Sequence, residues 1–367
     1  MIYFDHSATT PIHPLVAKKV NNINRKHYAN PSSIYSEGRK AKSLIEKARA
    51  QVANAIGAKN TQIFFTSGGT EANNQVLWNK LNEEKKHIIV SSIEHPAIIK
   101  VLKKIEHYGI TSSFIPVNKN GLVEIESVMK LIKKDTGLIS IMLANNEVGT
   151  IQPIQKIIEK TNSLNIPFHT DAVQALGKIP IDVNILGVDY LSLSAHKFYG
   201  PKGIGALFVK NKKKIQSLII GGDQEDGFRG GTENISGIVG MGLAAEIAIQ
   251  NQQTCSSHLK NLEKYFVNNL KSISPNVICN SINNLPGLVS ITFPGFKSDV
   301  LMAKLDRKKI AVSNGSACNT GNIKPSNVLK AMGIKNDLNL STLRFSFGKN
   351  NTKDEIDKLL NALKEII

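Results

Sequence analysis

The sequence predicts an α/β protein with a large domain built on a mostly parallel sheet and a smaller α+β domain. Between residues 62 and 209, apolar runs of strand length alternate with segments of helical periodicity. The runs are apolar almost throughout, as expected of parallel strands covered by helices on both faces. Beyond about residue 270 the alternation stops. A chain of 367 residues is long enough for two domains.

The elements of the large domain follow from proline, glycine and apolar spacing. Residues 1–4 predict a short strand, and Pro11 and Pro14 begin a helix that continues to about residue 23. A helix over 37–56 ends at Gly57. Seven strands are then predicted at 62–66, 87–93, 111–117, 137–143, 167–170, 189–193 and 206–209, with helices at 71–81, 96–107, 125–133 and 154–162.

The carboxyl-terminal third has a different pattern. A glycine-rich loop at 221–232 precedes one long predicted helix at 235–271. Strands are predicted at 277–281, 287–293 and 341–347, and helices at 298–308, 326–332 and 353–367. We place the domain boundary near 250–270. The large domain then comprises residues 14–255, and the small domain comprises 1–13 together with 256–367.

Composition narrows the function classes. The net charge of +17 raises the possibility of nucleic acid as a partner, but the basic residues are scattered and are not interleaved with aromatics, so we do not expect direct nucleic-acid binding. No apolar run approaches the roughly 18 residues of a membrane span, and the amino terminus lacks a signal-peptide pattern. The three cysteines have no metal-binding spacing. We therefore expect a cytoplasmic protein without a membrane or metal partner.

A lysine between two predicted strands is the strongest candidate for chemistry. Lys197 begins a tight connection rich in glycine and proline, between Ser194 and His196. A lysine held in one position can form a Schiff base with an aldehyde cofactor, and the flanking side chains can donate to a phosphate. The alternative interpretation of this segment alone is a lysine-bearing surface turn.

Other candidates lie where predicted strands end. Asp171 could keep a pyridine nitrogen protonated or could simply cap a helix, and His95 could stack on a flat cofactor or be structural. The turn at 67–71 offers backbone N–H groups to an anion. Arg344, in an apolar strand, needs either a substrate carboxylate or an internal acidic partner. Cys318 lies in a small polar segment that would expose its thiol.

Together these motifs resemble the NifS/IscS-type cysteine desulfurases, pyridoxal-phosphate enzymes of the class V aminotransferase group. The resemblance covers nearly the whole chain, in segments at 5–11, 65–71, 94–95, 145–149, 171–174, 194–197, 229–232, 315–318 and 344–346. It implies the fold of the fold-type-I pyridoxal-phosphate transferases. It also implies conversion of L-cysteine to L-alanine, with the sulfur passed to a protein thiol as a persulfide.

The resemblance further implies a role for each matching residue. Lys197 would bind the cofactor aldehyde, Asp171 would pair with the pyridine nitrogen, His95 would stack on the ring, and Cys318 would accept the sulfur. Arg344 would bind the substrate carboxylate. The remaining cofactor contacts would be Asn146 and Gln174 at the phenolic oxygen and Gly69, Thr70, Ser194, His196 and Thr232 at the phosphate, with Thr232 coming from the second subunit of a homodimer.

Two departures from the family pattern concern the sulfur-accepting segment and the chain end. Ser313-Asn314 precede the glycine, and Asn319-Thr320 follow Cys318, where the family usually has Ser-Ser and Thr-Ser. The chain ends at Ile367, before the tail with which the IscS branch docks its iron–sulfur scaffold. The sulfur acceptor therefore stays open between an iron–sulfur scaffold and a carrier for tRNA thiolation.

Two rival functions differ in what they require. A class V aminotransferase or a selenocysteine lyase needs no thiol such as Cys318. A protein that only binds RNA or a sulfur carrier, without catalysis, would leave Lys197, Asp171 and Arg344 without a role.

Overall fold

A computed structural model describes residues 1–315 and 324–367. Within them the strands, in chain order, are β1 (Ile2–Tyr3), β2 (Ile63–Thr66), β3 (His87–Ser91), β4 (Thr111–Ile115), β5 (Thr136–Ser140), β6 (Phe168–Asp171), β7 (Tyr190–Ser194), β8 (Gly205–Val209), β9 (Ile278–Cys279), β10 (Leu288–Thr292), β11 (Ile310–Ala311) and β12 (Thr342–Ser346).

The helices of the same residues are α1 (Pro14–Lys26), α2 (Ser36–Ala55), α3 (Gly69–Asn79), α4 (Pro96–Ile105), α5 (Ile125–Leu131), α6 (Ile154–Thr161), α7 (Val183–Leu186), α8 (Ile235–Gln250), α9 (Gln252–Ile273), α10 (Ser298–Arg307), α11 (Asn327–Ala331), α12 (Asn336–Asn339) and α13 (Lys353–Ile366). None of them combines the length and apolar character needed to cross a lipid bilayer.

The predicted seven-stranded sheet is present, with strand order β2-β8-β7-β6-β5-β3-β4. Within it β8 runs antiparallel to both neighbours, and the pairs among β3 to β7 are parallel. All its strands except β4 are buried along their whole length, because apolar clusters cover the sheet. One cluster packs against α1, α2 and α8, and another contains residues of α3 and α4. This α/β architecture confirms the predicted fold class.

The carboxyl-terminal region has its own sheets and its own apolar cluster. Strands β12, β10 and β9 form an antiparallel sheet, and β1 pairs in parallel with β11. Phe4 belongs to the cluster that also contains Phe266 and Phe345. The first strand of the chain therefore packs with the last third of the sequence.

The predicted helix over 235–271 is wrong as one element, because it is divided at Asn251 into α8 and α9. Asn251 has φ −107° and ψ 6°, and its side-chain Nδ2 donates to the Ile247 carbonyl at 2.9 Å. Asparagine competes for backbone hydrogen bonds in this way and so favours helix ends. The polar run of residues 250–254 interrupts the apolar spacing at this break.

Candidate active site

The parallel strands end at one edge of the large sheet, and most of the predicted site residues lie there. Asp171 is the last residue of β6, His95 follows β3, and Lys197 lies in a 3₁₀ turn directly after β7. In open α/β sheets the carboxyl ends of the strands are where ligands bind. The topology therefore brings together residues that are up to 102 positions apart, from His95 to Lys197.

Lys197 is held by backbone carbonyls of the amino-terminal segment. Its Nζ donates to the Ser7 carbonyl at 2.6 Å and to the Ala8 carbonyl at 2.8 Å. Burial, helped by the positive charge of Arg344, lowers the pKa of this amine to about 8, although Asp171 and Asp5 oppose the shift. About a tenth of the amine is consequently neutral, and thus nucleophilic, at pH 7.

Asp171 is a buried carboxylate with a fixed orientation. Its Oδ2 accepts from Asn73 Nδ2 at 2.7 Å, and its Oδ1 accepts from the Val173 amide at 3.0 Å. Asn73 lies four residues after Gly69 on α3, so both face the same side of that helix. Two donors hold the carboxylate in place, as a partner for a ring nitrogen requires.

His95 caps α4 with one ring nitrogen and keeps the other available. Its Nδ1 accepts from the Ala97 amide at 3.1 Å. The neutral ring therefore carries its proton on Nε2. Burial lowers the pKa of His95, with Lys197 adding to the shift and Asp171 opposing it. A neutral imidazole with an Nε2 proton can donate at one moment and accept at another.

The turn before α3 forms a cradle for an anion. A Cβ on Gly69 would lie 2.5 Å from Val173 Cγ2, and one on Gly205 would lie 2.6 Å from the Gly68 backbone, so this close approach needs glycine. Ser194 is adjacent, because its Cβ would be 3.6 Å from that added Cβ on Gly69. The amino end of α3 exposes its first N–H groups and carries the positive end of the helix dipole. Thr70 is the second residue of that helix.

The amino-terminal segment links the remaining predicted residues. Gln174 Nε2 donates to the same Ser7 carbonyl, at 2.9 Å, that accepts from Lys197. His196 Nδ1 lies 3.1 Å from Thr9 Oγ1, and burial lowers the pKa of this imidazole to about 4. Residues 7–9 thus hold side chains from two different strand ends. The resemblance to the family motif at 5–11 indicated that this segment belongs to the site. No single residue in the motif indicated which side chains it would hold.

Arg344 has an internal partner, which is one of the two alternatives left open by the sequence. Its Nη2 donates to Asp5 Oδ1 at 2.6 Å, and its Nη1 donates to the Asn146 carbonyl at 2.7 Å. The guanidinium is almost fully buried, and its Nε has no hydrogen-bond partner within the described residues. Asp5 was not recognised as a site residue, because its partner lies 339 positions away.

Two predicted residues stand apart from this group. Thr232 is exposed in a cleft of about 300 Å³, lined by the end of α1 and the start of α8, that includes none of the other predicted site residues. Cys318 lies outside the described residues.

Glu94 is a buried acid that sequence reasoning passed over. Its Oε1 accepts from Ser91 Oγ at 2.5 Å and from the Met142 amide at 2.8 Å. Its Oε2 is buried without a hydrogen-bond partner in the described part of the chain. Burial, with a smaller contribution from the charge of Asp171, raises the pKa of Glu94 to about 8. The only sequence signal was its position beside His95 at the end of a strand.

These residues together fit a flat aldehyde that carries a phosphate. It combines a partly neutral buried amine, a hydrogen-bonded carboxylate, and a glycine cradle at a helix amino end that would accept a phosphate. The fold and these residues define a fold-type-I pyridoxal-phosphate enzyme.

The chain belongs to the class V aminotransferase family, whose model matches residues 2–359. The family and the cysteine desulfurases within it depend on pyridoxal phosphate. The chain is 42% identical to cysteine desulfurase IscS of Dictyoglomus turgidum, across 100% of this chain and 94% of that protein. A solved NifS-like protein superposes with a TM-score of 0.93 at 37% identity, covering 100% of this chain and 98% of that one. SspA, solved in complex with cysteine, gives a TM-score of 0.83 at 36% identity, with coverages of 96% and 100%.

Proposed function

We propose that this chain is a pyridoxal-phosphate-dependent cysteine desulfurase, which converts L-cysteine to L-alanine and passes the sulfur to Cys318 as a persulfide. The observation that carries the proposal is the convergence of Lys197, Asp171 and His95 at one sheet edge. It occurs in a chain similar to cysteine desulfurases over its full length. The solved complex of the similar protein SspA contains cysteine.

Bound pyridoxal phosphate supplies an aldehyde that captures amines and a ring that withdraws electrons from the substrate Cα. Lys197 would hold the aldehyde, and its amine, once released, would move the Cα proton because its pKa is close to neutral. Asp171, fixed by Asn73, would pair with the ring nitrogen. Gly69, Thr70, Ser194 and His196 would hold the phosphate, and Asn146 and Gln174 would reach the phenolic oxygen.

Sulfur transfer needs a thiolate acceptor and a proton carrier. The C–S bond of cysteine breaks and an S–S bond forms on Cys318, so alanine leaves and the enzyme keeps the sulfur. His95 would manage the proton at the substrate sulfur through Nε2, because Nδ1 is engaged by the Ala97 amide. Arg344 would bind the substrate carboxylate through N–H donors that its two internal hydrogen bonds leave unused.

The assay that tests this function measures alanine and sulfide from L-cysteine in the presence of a reductant. Equal amounts of the two products support desulfuration. 3-Mercaptopyruvate formed with a keto acid as co-substrate would instead support an aminotransferase, and turnover restricted to L-selenocysteine would support a selenocysteine lyase.

We further propose a homodimer with shared sites, in which Thr232 of one subunit reaches the phosphate of the other. Its support is that the cleft around Thr232 includes none of the other residues proposed to hold the phosphate, together with the 85% and 89% exposure of the large side chains Tyr28 and Ile220. The test mixes inactive Lys197→Ala and Thr232→Val subunits. Shared sites predict recovery of about a quarter of the wild-type activity in the mixture, whereas independent sites predict none.

The domain organisation is proposed as residues 14–255 for the large domain and 1–13 with 256–367 for the small domain. It is supported by the separate apolar cluster around Phe266 and by the pairing of β1 with β11.

We propose a cytoplasmic location, because a reducing compartment keeps an acceptor thiol available. The physiological acceptor would be an iron–sulfur scaffold or a carrier protein for tRNA thiolation.

A further inference from the structure

A cavity of about 420 Å³ lies on the side of Lys197 that faces α8 and α9. Its lining includes Lys197 but none of the other proposed cofactor or substrate residues. The volume is in the range of small-molecule sites, about 300–1,000 Å³. It is therefore a second space, adjacent to the catalytic lysine yet separate from the phosphate cradle and from Arg344.

The charged groups of this cavity are basic. Lys178 and Lys349 line it together with Lys197, and its lining, which lies wholly in the described residues, includes no aspartate or glutamate. None of these three lysines forms an ion pair with a carboxylate in the part of the chain that the structure describes. Clustered ammonium groups repel one another when buried, so an anion placed among them would be stabilised.

Lys178 is the best-placed cation. Its Nζ donates to Gln174 Oε1 at 3.2 Å, which leaves two of its three donors for a ligand. Burial, together with the positive charges of Lys197 and Arg344, lowers the pKa of Lys178 to about 7. A bound anion would reverse that effect by favouring the charged amine.

Two further features favour an organic ligand rather than a simple ion. The walls include apolar side chains from three segments, among them Leu176, Ile247 and Phe347. His6, which is only 7% exposed, also lines the cavity, and its Nδ1 has no partner within the described residues. An apolar body would fill the walls, while an acid group would meet the lysine and the unpartnered imidazole nitrogen.

The geometry points to a binding site for a small organic carboxylic acid with an apolar body, held by Lys178 and lined by His6 and Lys349. The site is separate from the substrate site and does not depend on the proposed activity. A hydrogen-bonded path joins the two, because Gln174 bridges Lys178 to the Ser7 carbonyl that also accepts from Lys197. An acid bound here would therefore lie next to the residues that hold the catalytic amine.

Calorimetric titration of the holoenzyme with benzoate tests the site, with benzamide as the uncharged match. We expect benzoate to bind at least about tenfold more tightly than benzamide, because only benzoate forms charge-assisted hydrogen bonds. Lys178→Gln should weaken benzoate by about tenfold or more. Lys304→Gln, which removes an exposed lysine of α10, should leave the affinity unchanged.

Two further measurements locate the ligand. Ala248→Leu fills the cavity without removing a charge and should also abolish benzoate binding. In crystals of the holoenzyme with 4-bromobenzoate, the anomalous signal of bromine should appear beside Lys178. A signal at Arg344, no signal, or equal binding of benzoate and benzamide would overturn the inference.

Discussion

Replacing Arg344 by lysine separates substrate binding from structural support. Lysine keeps the positive charge but loses the planar fork that reaches Asp5 Oδ1 at 2.6 Å and the Asn146 carbonyl at 2.7 Å. The buried Nε donor disappears as well. One lost charge-assisted hydrogen bond to the substrate carboxylate costs about 1.5–3 kcal/mol, which corresponds to a rise in KM for cysteine of roughly 10- to 150-fold. The kcat should change little, because Lys197 and His95 are untouched.

Asp5→Asn is the matched control for this prediction. It keeps an oxygen that can accept from Arg344 but removes the negative charge, so it should lower the melting temperature and change KM much less than Arg344→Lys. Steady-state kinetics and thermal melts of both variants provide the test. If Arg344→Lys lowers stability while the KM for cysteine stays at the wild-type value, Arg344 only stabilises the fold. Its assignment as the residue that binds the substrate carboxylate is then refuted.

Three further predictions concern ionisable groups of the site. Lys197→Ala should lose the absorbance band above 400 nm and all turnover of cysteine; a variant with near-wild-type rates would exclude Lys197 as the cofactor lysine. The rate at which apoenzyme captures pyridoxal phosphate should rise as Lys197 loses its proton and level off above its pKa of about 8, whereas a rate independent of pH between 6 and 8 would contradict that pKa. Glu94→Gln should gain stability relative to wild type as pH rises from 5 to 8, because the unfolded carboxyl ionises near 4.5 and the folded one only near 8; urea titrations that show a constant difference would refute a neutral Glu94.

The sheet and its functional edge were predictable because apolar runs and strand-end polar residues are local signals. Asp171, His95 and Lys197 each follow an apolar run, and a parallel sheet places such ends at one edge. The same local signals predict the seven strands of the large sheet, with small differences at their ends.

What the sequence did not predict depends on distant contacts. The partners of Arg344 and Asp171 come from Asp5 and Asn73, which lie 339 and 98 positions away. The break at Asn251 is the exception, because its signal, the polar run of residues 250–254, is local. The raised pKa of Glu94 was unpredictable, since it follows from burial in the folded chain.

Mass spectrometry of the holoenzyme after brief exposure to L-cysteine tests the central claim most directly. The account predicts one added sulfur atom on the Cys318 peptide, together with the release of alanine. Cys318→Ala should keep the cofactor band and bind cysteine but make little alanine, while Cys255→Ala and Cys279→Ala should remain active, because burial raises the pKa of both thiols. Added sulfur on Cys255 or Cys279, or full alanine production by Cys318→Ala, would contradict the account.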